Sequence, residues 1–128
     1  MSELLRALIR RDGDAVAAMV ADDFTFEPLS TEAAARGVYR GGDGMRTYLR
    51  DVRDTWRQFD VTVGAVEEVA GHVLVTGRVY ARARATSLVA DDPVAFAWRV
   101  VDGRVAWGSV FTSEAAALEA VQSRDGGV

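Results

Sequence analysis

Apolar residues recur at helical spacing in the first half of the chain and at strand spacing in the second. Residues 2–11 carry Leu4, Leu5 and Leu8 on one face and Arg6, Arg10 and Arg11 elsewhere, which predicts an amphipathic helix. Asp12-Gly13-Asp14 interrupts it. Asp12 or Asp14 can cap a second helix, whose stripe is Val16, Met19 and Val20. Asp22-Asp23 ends that helix, and Phe24, Thr25 and Phe26 read as a short strand that stops at Pro28. Residues 30–40 read as a loop, with a helical turn at Glu32–Ala35. The longest stripe follows: Met45, Tyr48, Leu49, Val52 and Trp56, with Asp43 in the first turn, where the helix dipole favours a carboxylate.

From Phe59 the period changes to two. Val61 and Val63 alternate with Thr62 and Gly64, and Ala70-Gly71-His72 is a turn. A long strand from Val73 to Thr86 puts Thr76, Arg78, Tyr80, Arg82 and Arg84 on one face. Val75, Gly77, Val79, Ala81 and Ala83 share the other. Asp91-Asp92-Pro93 leads into a strand from Val94 to Val101, and Asp102-Gly103 is a hairpin signal. Two registers are open there. A type I turn with a glycine bulge sets Phe96 and Trp98 on one face with Gly108 and Val110. A two-residue turn pairs Trp98 with Trp107. The bulged register is favoured because large residues then oppose small ones. The last strand runs to Thr112, and Ser113 can cap a final helix holding Leu118 and Val121. Helices first and an antiparallel meander after them predict an α+β domain over residues 1–122, with a disordered tail at 123–128.

Composition narrows the chemistry more than it names it. The chain has 128 residues, one domain's worth, and no Cys, which excludes a disulfide framework and a thiol nucleophile. It has no Lys, which excludes a Schiff-base lysine. A net charge of −4 without a basic stripe argues against nucleic acid. No apolar run reaches the ~18 residues of a membrane span. Met1-Ser2-Glu3-Leu4-Leu5-Arg6 has no basic stretch before an apolar core, so no secretory signal is expected and a cytoplasmic location is. His72, the one histidine, is expected on the surface in its turn, and neither a metal site nor a cofactor is expected.

Three segments carry a resemblance. The run from Arg11 through Asp12-Gly13-Asp14-Ala15-Val16 to Asp22-Asp23 resembles the opening of SnoaL-like and ketosteroid-isomerase-like proteins, a branch of the nuclear-transport-factor-2-like superfamily. Tyr39-Arg40-Gly41-Gly42-Asp43-Gly44-Met45 is similar to their entry into the third helix. Trp98-Arg99-Val100-Val101-Asp102-Gly103-Arg104-Val105 resembles their hairpin. The resemblance implies a cone: a curved antiparallel sheet wrapped around helices and enclosing a pocket. The fold hosts isomerases, hydrolases, dehydratases, cyclases and non-catalytic binders, so it leaves function open.

Carried over residue by residue, the family's catalytic groups are largely missing. The oxyanion-hole positions of ketosteroid isomerases fall on Leu4 and Phe96, which have no side-chain donor. The His and Asp of SnoaL-type cyclases fall near Gly108 and Val110, and the Asp-Arg-Asp set of limonene epoxide hydrolases is not evident. The general-base position falls on Glu27, before Pro28. A carboxylate there facing an apolar cavity would have a raised pKa and act as a base, whereas inward-facing Phe24 and Phe26 would turn it to water.

The expected pocket wall is Phe26, Tyr48, Trp56, Phe96, Trp98 and Val110, with Tyr39 a second source of a hydroxyl. Arg82 and Arg84 would reach the mouth and contact an anion. Tyr80, Trp107 and Phe111 would make an apolar patch on the outer sheet face through which the chain forms a homodimer. Three functions follow: a binder of a small hydrophobic molecule, which is preferred; an acid–base isomerase, cyclase or hydrolase using Glu27; or a non-catalytic dimeric interaction module.

Overall fold

The computed structural model describes residues 2–27 and 38–126. The loop and helical turn expected around Glu32–Ala35 lie outside the described residues. In chain order the elements are α1 (Ser2–Ile9), α2 (Gly13–Met19), β1 (Val20–Glu27), β2 (Tyr39–Arg40) and α3 (Gly41–Thr55). Then come β3 (Trp56–Val69), β4 (His72–Ala83), β5 (Val89–Val101), β6 (Arg104–Phe111) and α4 (Glu114–Gly126).

Local chemistry sets most of the boundaries. Asp12 accepts a hydrogen bond from the Ala15 amide at 3.1 Å and caps α2, and Ser113 does the same for α4 through the Ala116 amide at 3.1 Å. The α2 helix ends one residue earlier than its stripe predicts. Val20 opens β1, which runs eight residues rather than three. Trp56 lies just past α3 and begins β3, so it is not on the helix face. The last helix continues to Gly126, past the point where the sequence predicts a tail.

Six strands form one curved sheet in the order β2-β1-β6-β5-β4-β3. The α+β architecture is the one expected, but the sheet is mixed: β1 runs parallel to β6, while the other pairs are antiparallel. Both long hairpins turn on two residues with positive φ. These are Ala70 (φ 50°) and Gly71 (φ 75°), then Asp102 (φ 51°) and Gly103 (φ 79°), as the type I′ geometry requires. Pro93 sits inside β5 opposite Arg78. It is tolerated because β6 reaches only to Ala95, so β5 has a free edge there.

The β5–β6 register answers the parity question in an unexpected way. The turn is the two-residue one, pairing Val101 with Arg104 and Val100 with Val105. A bulge at Ala106 then inserts one residue, so Arg99 faces Trp107, Trp98 faces Gly108 and Phe96 faces Val110. The expected facing pairs are present, but the bulge sits in the strand and not in the turn. Gly108 is required at its position, because a Cβ there would overlap the six-membered ring of Trp98.

The sheet separates two cores. On the concave side Leu4, Val16, Phe24, Phe26, Met45 and Trp98 pack with α1, α2 and α3. On the convex side Leu74, Ala95, Ala97 and Trp107 pack under Ala117 and Val121 of α4. Two expectations are corrected by this second core. Trp107 is only 4% exposed, covered by the chain's own last helix, so it is not part of an open dimer patch. His72 is not on the surface; it is buried, with its ring edge-on to Trp107 at 5.8 Å. Its Nδ1 lies 2.7 Å from the Ala70 carbonyl, which can only accept, so Nδ1 carries the proton.

Candidate functional site

The concave core does not close completely. Between α1, α3 and the sheet it leaves a cavity of about 120 Å³. The sheet supplies Phe26, Val61, Val63, Val75, Phe96 and Trp98 to its wall. Tyr48, Leu49 and Val52 enter from α3, and Leu5, Leu8 and Ile9 from α1. Register explains this set: Phe96 and Trp98 share the face that Gly108 leaves open, and Val75 and Val63 follow on the neighbouring strands.

The aromatic part of the wall is one continuous stack. Phe96 and Trp98 lie nearly parallel with centroids 6.1 Å apart, and Trp98 stacks on Phe26 at 5.7 Å. Phe26 meets Tyr48 at 4.6 Å. Each ring is held by the next, which gives the wall a fixed shape. The Trp98 indole N–H is buried with no acceptor among the described residues. Such an unpaired donor costs about 1–3 kcal/mol.

Three polar side chains border the cavity. Tyr48 is only partly buried by area, yet desolvation pushes its pKa well above the ordinary phenol value, with the neighbouring Tyr39 adding to the rise. The Tyr48 side chain lines the cavity. Tyr39 directs its own hydroxyl elsewhere, donating to Asp51 Oδ2 at 2.8 Å. Arg11 and Asp60 stand at the opening, beside Ile9, which is 51% exposed. Asp60 accepts a hydrogen bond from Gln58 Nε2 at 2.6 Å.

Arg11 has an unusual backbone. Its φ is 55°, in the left-handed region. The Arg11 amide donates to the Leu8 carbonyl at 3.0 Å and the Asp12 amide to the Ala7 carbonyl at 2.9 Å. This is a Schellman ending to α1, with Arg11 at the position where glycine is preferred. A side chain there costs roughly 1 kcal/mol.

The sequence-predicted residues divide three ways. Phe26, Tyr48, Phe96 and Trp98 are in the wall. Trp56 and Val110 are not: Trp56 packs on Phe59 at 6.3 Å, and Val110 joins the core beside the cavity. Arg82 and Arg84 do not border the cavity. Arg84 donates from Nε to the Arg53 carbonyl at 2.6 Å, satisfying the end of α3. Arg82 borders a separate hollow of about 210 Å³ with Arg57, Thr86 and Ser87. Glu27 is exposed on the convex side, where its Oε1 accepts from Trp107 Nε1 at 3.3 Å. Inward-facing Phe24 and Phe26 fix this parity, so the cavity receives no carboxylate from Glu27.

Sequence reasoning missed the two charged residues of the site, Arg11 and Asp60, and the aliphatic wall from α1 and β3. The signal for Arg11 was a charged residue at a helix end with no glycine to terminate it. Asp60 lies in a strand whose edge position only the assembled sheet reveals. Among the described residues, no three His, Asp or Glu side chains gather as a metal site would need. No described helix is long and apolar enough to cross a membrane.

A curved sheet closed over three helices, with an apolar cavity between them, defines the cone-shaped class to which ketosteroid-isomerase-like proteins belong. The chain belongs to the SnoaL-like domain family, which matches residues 1–107. It is similar to a nuclear-transport-factor-2-like protein from Burkholderia thailandensis E264, with 23% identity, 92% of each chain covered and a TM-score of 0.77. It is also similar to an epoxide hydrolase of limonene-epoxide-hydrolase type from M. tuberculosis, with 22% identity, 97% and 86% covered and a TM-score of 0.66. A third similar structure is a ketosteroid-isomerase-like protein from Catenulispora acidiphila in complex with trimethylamine, with 14% identity, 88% and 86% covered and a TM-score of 0.71. No curated protein matches the sequence significantly. At these identities the solved structures show the fold alone.

Proposed function

We propose that this SnoaL-like protein binds a small, mainly apolar molecule in the concave cavity, without an acid–base centre of the kind Glu27 would have supplied. The observation that carries the reading is the wall, a fixed aromatic stack closed by aliphatic side chains, with one interior hydroxyl. The size sharpens it. A cavity of about 120 Å³ is close to the engineered apolar cavity of ~150 Å³ that binds benzene, and well below the roughly 300 Å³ at which drug-sized pockets begin. One ring or a short branched chain fits, and a steroid does not. The trimethylamine held by the Catenulispora protein gives the reading support, since that ligand is also small.

A cytoplasmic setting belongs to the same proposal. So does a homodimer, but it would use the convex surface that α4 leaves uncovered, where Tyr80 is 38% exposed between Arg78 and Arg82.

The test is titration with benzene-sized and steroid-sized apolar compounds, followed by the side-chain resonances of Tyr48, Phe96 and Trp98. The small compounds are expected to shift all three, and the steroid none. Absence of any shift with every small compound would sink the reading. A steroid isomerisation assay adds a second check: turnover that disappears in Glu27→Gln would restore the acid–base reading.

A further inference from the structure

We propose that the preferred ligand is a small amphipathic acid, with an apolar body of about one ring inside the cavity and a carboxylate at the opening on Arg11. This rests on the reading of the cavity as a ligand site and adds the chemical class.

The argument starts from the placement of Arg11. It follows α1 and contributes to the cavity's border, while the interior beside it is apolar. Nearby charges are already engaged. Asp12 caps α2 through the Ala15 amide, and Asp14 holds Arg46 Nε at 2.9 Å. No ion-pair partner for Arg11 is present among the described residues. Its guanidinium is therefore a permanently charged, planar donor at the edge of an apolar hole, the arrangement that suits a carboxylate.

The backbone adds a separate reason. A Schellman ending favours glycine, and arginine at this position works against the local stability of the chain end. Folding alone does not ask for an arginine there, whereas anchoring a ligand's acid group does. Asp60, across the opening, has the opposite charge, and its carboxylate takes the Gln58 amide. An amine anchored on Asp60 is the competing arrangement, so the test includes one.

Benzoate, benzyl alcohol and benzylamine share one ring and differ in the group at the mouth. Calorimetry would compare them on the wild type, Arg11→Gly and Arg11→Gln. Benzoate is expected to bind roughly tenfold more tightly than benzyl alcohol, the gain of one charge-assisted contact. Added salt should narrow the gap. Arg11→Gly is expected to remove the preference and to hold or raise Tm, because glycine suits the left-handed position. Arg11→Gln should also remove the preference. Equal binding of benzoate and benzyl alcohol, tighter binding of benzylamine, or a preference that survives in Arg11→Gly would each overturn the inference while leaving the cavity reading intact. If none of the three rings binds the wild type, the cavity reading itself fails.

Discussion

The two faces of the sheet solve the same packing problem with opposite outcomes. Each buries a tryptophan against a helix layer. On the convex face Trp107 lies beside Ala95 and Ala97, and α4 offers Ala117 and Val121, so backbones approach closely and the space fills. On the concave face Trp98 stands between Phe26 and Phe96, and the sheet curves away from α1 and α3. Large rings propped against one another hold the layers apart, and a cavity remains. Small residues therefore make a structural core, and stacked large ones make room for a ligand. Filled and hollow cores respond differently to atoms removed or added.

Removing atoms gives the largest contrast. Leu74→Ala, on the filled face at 0% exposure, is expected to cost about 2–5 kcal/mol in chemical denaturation. Phe96→Leu, in the cavity wall, should cost less than about 1.5 kcal/mol, since its neighbours already border empty space. Equal costs would show that the concave face is as closely packed as the convex one.

Adding atoms should reverse the sign. Ala97→Leu must force α4 outward and is expected to lose about 1–3 kcal/mol. Val63→Leu grows into the cavity and should be neutral or gain roughly 0.5–2 kcal/mol, while weakening ligand binding. A loss of stability at Val63 matching that at Ala97 would remove the distinction between the faces.

The smallest effect is read at alkaline pH. The folded state raises the Tyr48 pKa by desolvation, so the unfolded chain loses that proton first. Its contribution to stability is fully present below the ordinary phenol pKa of 10.0 and is lost as pH rises above it. Tyrosinate absorbance should show Tyr48 resisting titration until the protein unfolds, a component absent from Tyr48→Phe. Tyr48→Phe should weaken the dependence of stability on alkaline pH. A Tyr48 that ionises at the ordinary phenol pKa of 10.0 would mean its hydroxyl meets bulk water.

Much of this protein was legible in its sequence, for reasons tied to particular residues. The caps at Asp12 and Ser113 act within three residues, and the stripe Met45, Leu49 and Val52 is a property of one helix, so both can be read along the chain. The alternation of Phe24 and Phe26 assigned β1 its inner face, and with it turned Glu27 outward. The Asp102-Gly103 turn was legible as a turn, but the bulge at Ala106 that carries Trp98 onto Gly108 was not. A bulge answers to what both faces must bury, which no local pattern records.

Only the tertiary structure decided the rest. Nothing near Trp107 in sequence announces that α4, beginning at Glu114, will fold over it. Nor does anything near Arg11 announce that Phe59 to Val61, some fifty residues on, will form the opposite side of an opening. The sequence determined most of the elements, the inner faces of α3 and β1, and the family. Which apolar face becomes a filled core and which a cavity depends on the curvature of six strands at once. Curvature sums small twists and bulges over the whole sheet, and so it belongs to the assembled molecule rather than to any stretch of the chain.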